Sequence, residues 1–257
     1  MGRRTSRVGQ KKIQTAKNAL SNLAFDDKPD PRDLDVKHRR GSPSTGARFQ
    51  KNLTPKNIHQ QDFMTAIDTS EISFGIGPAG TGKTFIAVRK ALEMLASNQV
   101  EKIVIARPAV EAEGERIGYL PGDIQEKLHP YMLPIYDILK EVLGAARLKV
   151  MIENEQIELC PLAFMRGRTF NNSVLVLDEM QNATVGQFKM ALTRLGMHSK
   201  AIITGDPNQS DLSNSSSGLL PCSAKLENAY CVSVTRFGII DVVRSSIVAT
   251  VLEHLGE

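Results

Sequence analysis

GPAGTGKT at 77–84 satisfies every fixed position of G-x-x-x-x-G-K-[ST], a spacing that wraps backbone around the phosphates of a nucleoside triphosphate. Each residue type has a physical reason. Gly77, Gly80 and Gly82 carry no Cβ, so backbone N–H groups can curl around phosphate oxygens, and the helix expected to start there adds partial positive charge facing them. Pro78, Ala79 and Thr81 fill the remaining positions of the same loop. Lys83 is expected to reach the β- and γ-phosphates, and the Thr84 hydroxyl to ligate Mg²⁺. A purely structural turn would leave Lys83 without a purpose, so the segment reads as a site for ATP and Mg²⁺.

A second cluster follows downstream. VLVLDE at 174–179 is an unbroken apolar run ending in two carboxylates. Such a run suits a strand covered on both faces, which sets Asp178 at the carboxyl edge of a sheet, beside the phosphate loop. Asp178 is expected to join Thr84 around Mg²⁺, and Glu179 to orient and deprotonate the attacking water. A third apolar run, AIIT at 201–204, leads into GDPNQ at 205–209. Gly205, Pro207 and Asn208 make a turn on their own account, but Gln209, just past a core strand, resembles the γ-phosphate sensor of superfamily 1 helicases.

These residues need a scaffold, and from Gln60 onward apolar strands alternate with amphipathic helices, the pattern of an α/β fold with a mainly parallel sheet. Strands are expected at 72–76, 102–106, 174–177 and 201–204, and helices at 83–96 and 186–195. The stretch 123–143 reads as a long helical region interrupted by Pro130 and Pro134. A small β-hairpin insertion is expected from 148–152 and 157–160, turning at Glu153 and Asn154.

Charge divides the chain. Residues 1–60 hold 14 Lys/Arg against 5 Asp/Glu, a net +9, and residues 61–257 hold 18 against 23, a net −5. The stretch 1–51 has few large apolar residues, Pro29, Pro31, Pro43 and a GSPSTG run, so it reads as a basic, poorly ordered tail with room for a short helix near 11–23. Its two readings are an arm contacting nucleic-acid phosphates and a solubilising or docking segment. No apolar run approaches the roughly 20 residues of a membrane span, and the N-terminus has no apolar signal core. Cys160, Cys222 and Cys231 form no paired ligand spacing. A cytoplasmic protein with no membrane partner is expected.

Taken together, FGIGPAGTGKT (74–84), ARPAVEAEGERIGYLPGD (106–123), PLAFMRGRTF (161–170), LDEMQN (177–182), GDPNQSDL (205–212) and RFGIIDVVRSSIV (236–248) resemble the PhoH family. The Leu-Pro-Gly-Asp and Met-Arg-Gly-Arg stretches are not generic to P-loop proteins. The resemblance implies a RecA-like P-loop ATPase domain over 52–257, related to the first domain of a helicase. It also implies a homo-oligomeric ring, a hexamer in expectation, hydrolysing ATP in connection with RNA or single-stranded DNA. By this resemblance Gln60 reads adenine, with Gln61 as the alternative. The resemblance also implies that Arg244, in DVVR at 241–244, lies near the γ-phosphate, in cis or in trans from a neighbouring subunit; the alternative is a salt bridge on a helix surface. Arg166 and Arg168 are candidates for touching nucleotide or nucleic acid, or for closing a turn. Met180 stands where a smaller residue is usual, which should alter packing rather than chemistry. Neither a second RecA-like domain nor an acidic nuclease domain is expected, and so no ribonuclease activity.

Two other functions compete with an ATPase coupled to nucleic acid. A small-molecule P-loop kinase would keep Lys83 and Mg²⁺ but needs an acceptor site and an Arg-rich lid, and neither is found. A nucleotide-gated scaffold would tolerate loss of Glu179, whose presence argues against it.

Overall fold

A strand covered by helices on both faces needs apolar side chains in every position, and the apolar runs of this chain meet that requirement. In the computed structural model, which describes residues 53–108, 124–212 and 216–243, they form one sheet of six parallel strands. Two compact units are distinguished: 51–115 with 157–257, and 1–50 with 116–156. The basic segment 1–51, with the short helix allowed for near 11–23, and Arg244 lie outside the described residues.

The larger unit runs α1 (Ile58–Thr69), β1 (Ile72–Ile76), α2 (Lys83–Ala96) and β2 (Lys102–Arg107). The smaller unit contributes α3 (Ile124–Leu143) and α4 (Ala145–Glu153). The larger unit then resumes with β3 (Ile157–Pro161), β4 (Ser173–Leu177), α5 (Val185–Leu192), β5 (Lys200–Gly205), α6 (Leu219–Leu226) and β6 (Val232–Arg236). Strand order is β3-β2-β4-β5-β1-β6. The phosphate-loop strand β1 is thus separated by β5 from the strand ending at Asp178, the arrangement of a RecA-like P-loop core. Parallel registers such as Ile76↔Gly205 and Ala106↔Leu177 bring the carboxyl ends of these strands to one edge.

Side chains alternate across each strand. On one face Phe74, Val104, Leu175, Leu177, Ala201 and Ile203 form a core with Phe188 of α5 and Leu219 of α6. Toward the other, α1 packs on β1 and β6, and α2 on β2, β4 and β5. Phe63 of α1 lies against Gly75, where an added Cβ would come 2.7 Å from the ring. Asn57 caps α1 by accepting from the Gln60 N–H at 2.8 Å. Met180 is fully buried in the first face's core. The three cysteines are free thiols.

Two expectations change. The hairpin is absent: 145–153 is helical and β3 pairs in parallel with β2. Leu148 and Met151 are buried while Val150 is half exposed, which is the three-to-four residue period of a helix rather than the alternation of a strand. The reversal near Asn154 is real, with Glu155 at φ 59°, but it ends a helix. The helical region expected to break at its prolines runs unbroken as α3 over 124–143. Helices α1 and α6 and the edge strand β6 add to the elements expected from the sequence. No helix among the described residues is long and apolar enough to cross a membrane.

Candidate functional site

The loop between β1 and α2 takes its shape from its glycines: Gly77, Gly80 and Gly82 have φ of 147°, 79° and 86°, a region that side chains with a Cβ disfavour. Gly77 is locked further. Its N–H donates to the Gly205 carbonyl at 3.1 Å, and an added Cβ would sit 2.3 Å from the Phe237 carbonyl oxygen. The Thr81 hydroxyl donates to the Pro78 carbonyl at 3.0 Å, closing the loop from inside. The Lys83 ammonium, 8% exposed, turns back on the carbonyls of Gly77 and Pro78, each at 2.7 Å. The Ala79 N–H, in the segment expected to receive phosphate, donates to the Asp206 carboxylate at 2.9 Å.

Across the sheet edge, Asp178 is 1% exposed and its two oxygens divide their partners. Oδ1 accepts from the Thr84 hydroxyl at 2.7 Å and from the Thr204 hydroxyl at 2.5 Å. Oδ2 accepts from Arg107 through Nε at 2.8 Å and a terminal nitrogen at 2.5 Å. Burying a carboxylate is costly unless it is paired and hydrogen-bonded, and this one meets both conditions. The hydroxyl of Thr84 beside a carboxylate is the hard oxygen set that suits Mg²⁺, so these two residues fit the ion.

Glu179 adopts φ 57°, ψ 38°, the left-handed region, at the start of the 3₁₀ turn Met180–Asn182. That geometry is costly for a residue with a Cβ and clusters at functional sites. It turns the side chain away from the strand, leaving it 43% exposed beside the buried Asp178. The Gln181 amide donates to it at 2.6 Å. Gln209 lies exposed on the neighbouring turn, its N–H donating to the Asp206 carbonyl at 3.1 Å.

Gln60 reaches this site from α1. It is 5% exposed, donates to the Thr81 carbonyl at 2.9 Å and accepts from the Lys56 N–H at 2.8 Å. Gln61 faces Thr65 on the exposed side of the helix, so Gln60 is the one brought to the phosphate loop. After β6 the chain returns there, the Val243 N–H donating to the Gly80 carbonyl at 3.0 Å. Arg168 instead forks onto Glu158 at 2.6 and 2.8 Å and covers the Phe170 ring.

Sequence reasoning had missed Arg107, Thr204, Gln181 and Asp206. Arg107, Thr204 and Asp206 lie at or within two residues of an expected strand end, where a charged or hydroxyl side chain is itself a signal; Gln181 lies four residues past its strand. What the chain order hides is the partners that the sheet brings to them: Asp178 for Arg107 and Thr204, the turn at 206–209 for Gln181, and the Ala79 N–H for Asp206.

Among known proteins, the PhoH-like protein family model matches residues 52–255. A PhoH-like protein of Bacillus subtilis is 46% identical over 204 residues, covering 79% of this chain and 64% of that protein. One of Mycobacterium tuberculosis (strain H37Rv) is 43% identical over 221 residues, 86% of this chain and 60% of the relative. Protein PhoH of Escherichia coli K12 is 42% identical over 207 residues, with coverage of 78% and 58%. The chain therefore spans about three fifths of the length of these curated relatives. Among solved structures, the Pyrococcus furiosus Hef helicase domain is similar at 13% identity, with a TM-score of 0.44 over 72% of this chain and 39% of that one. A Sulfolobus solfataricus SWI2/SNF2 ATPase core in complex with dsDNA is similar at 16% identity, with a TM-score of 0.40 over 61% and 32%. With the loop 77–84, the acidic strand end and the Gln209 turn all within the matched residues, this chain belongs to the PhoH-like family.

Proposed function

We propose that this protein is a Mg²⁺-dependent ATPase whose turnover is coupled to RNA or single-stranded DNA. The observation that carries the hydrolytic reading is the contact of Thr84 with Asp178 at 2.7 Å, joining the phosphate loop to the acidic strand with a carboxylate next in sequence. Backbone N–H groups of 80–84 cradle the phosphates. Lys83 exchanges its loop carbonyls for β- and γ-phosphate oxygens. Thr84 and Asp178 hold Mg²⁺, which neutralises phosphate charge when bound. Glu179 takes a proton from the attacking water, and Gln209 senses the γ-phosphate. Gln60 recognises adenine, and Arg107 keeps Asp178 oriented.

The basic stretch 1–60, net +9, supports contact with nucleic-acid phosphates. A single core leaves one side of the γ-phosphate open, and a homo-oligomer, a hexameric ring in this reading, would close it with Arg244 of a neighbour. The cytoplasm suits a reduced chain of this kind.

The test separates binding from chemistry. Lys83 contacts phosphate in the ground state, whereas Glu179 acts mainly in the transition state. Lys83→Ala is therefore expected to lose ATP binding, and Glu179→Gln to keep binding while losing turnover by roughly 10²-fold or more. Equal loss of affinity in both variants overturns the role given to Glu179.

A further inference from the structure

Gln181 lies two residues past Glu179 and is 1% exposed. Its amide is used three ways: Nε2 donates to Glu179 Oε2 at 2.6 Å and to the Gln209 carbonyl at 3.3 Å, while Oε1 accepts from the Asp206 N–H at 3.1 Å. One planar group thus ties the carboxylate next to Asp178 to the turn that carries Gln209. Asp206 extends the chain of contacts, because its carboxylate accepts from the Ala79 N–H of the phosphate loop. Room for the amide depends on Gly205, where an added Cβ would come 3.0 Å from Gln181 Oε1 and 3.2 Å from the Gln181 backbone N.

Without this tether Glu179, 43% exposed on a long flexible side chain, would spread over several rotamers. A misplacement of about 1 Å at a reacting group can cost on the order of 100-fold in rate. We propose that Gln181 is a positioning residue for hydrolysis, holding the Glu179 carboxylate and the Gln209 turn in fixed register without touching substrate. This rests on the ATPase reading above.

Two substitutions separate positioning from plain structural support. Gln181→Glu keeps an acceptor for the Asp206 N–H but removes both donated hydrogen bonds and sets a second carboxylate against Glu179. Gln181→Met preserves length and apolar volume and removes every polar contact. Both are to be compared with the unaltered chain for thermal midpoint, affinity for a non-hydrolysable ATP analogue by calorimetry, and single-turnover hydrolysis. The expected result is folded protein, affinity within about threefold and a rate lower by roughly 10- to 100-fold. In a Glu179→Gln background the further cost of Gln181→Glu should shrink to under about threefold, because residues acting as one unit are not additive.

A Gln181→Glu protein at the unaltered rate overturns the proposal, as do costs that multiply fully with Glu179→Gln, or an affinity loss matching the rate loss. Should Gln181→Glu not fold, Gln181→Met carries the test. Unfolding of both shows a structural role and also overturns it. Absence of Lys83-dependent turnover in the unaltered chain overturns the ATPase reading itself.

Discussion

Glycine at position 77 is demanded twice, by a φ of 147° and by a backbone carbonyl that would lie 2.3 Å from any Cβ. A carbonyl cannot rotate away as a side chain does, so Gly77→Ala must displace either the loop or the segment at Phe237. It is expected to cost about 2–4 kcal/mol of stability and at least tenfold in ATP affinity, measured by urea unfolding and calorimetry. An unchanged unfolding midpoint would mean that this loop yields more easily than its packing indicates. The glycines and Lys83 were legible in the sequence because a phosphate-binding turn permits few residue types at fixed spacing. Arg107, Thr204 and Gln181 were not: Arg107 and Thr204 meet Asp178 only through the register of the sheet, and Gln181, though two residues from Glu179, finds its other partners on the turn at 206–209.

Strand β3 is pinned to the sheet by charge as well as by its ladder. Glu158 meets Lys102 of β2 at 2.7 Å and the fork of Arg168. Burial would raise its pKa, but hydrogen bonds from Arg168 and Lys102 outweigh burial and bring it from 4.5 down to about 2. A carboxyl with a depressed folded pKa contributes stability that is complete above its unfolded value and lost as pH falls through the folded one. Glu158→Gln should therefore lower stability at neutral pH and flatten its pH dependence between about 4.5 and about 2, seen in urea unfolding across that range. An undiminished acid slope in the variant would remove Glu158 as its source.

At this same scale the sequence was readable wherever apolar residues ran unbroken, as in β4, whose five positions are all buried. It misled in 148–152, where a five-residue stretch is too short to separate the two periodicities and packing decided for a helix. Edge strand β6 escaped because half-covered positions in Val232–Arg236 admit polar residues.

For the molecule as a whole the charge split yields a further expectation. Removing residues 1–50 takes away 12 Lys/Arg and 5 Asp/Glu and should make the salt dependence of any RNA binding shallower, by about 0.7 in log–log slope per lost phosphate contact to a single strand. ATP turnover without RNA should persist, since Gln60, the loop 77–84, Asp178, Glu179 and Gln209 all remain in the shortened chain. An unchanged slope would assign the segment to solubility or docking.

The strand order carries one more consequence, for the birth of the chain. Both neighbours of β1, β5 and β6, come late in the sequence, so the ribosome must deliver the 160 residues from Gly77 to Arg236 before β1 has both partners. At elongation rates of about 5–20 residues per second, that is a wait of roughly 8 to 32 s. The phosphate-loop strand, ISFGI, is thus among the first strands made and among the last secured, and a chain stalled before residue 200 would present it unpaired to chaperones and to other nascent chains.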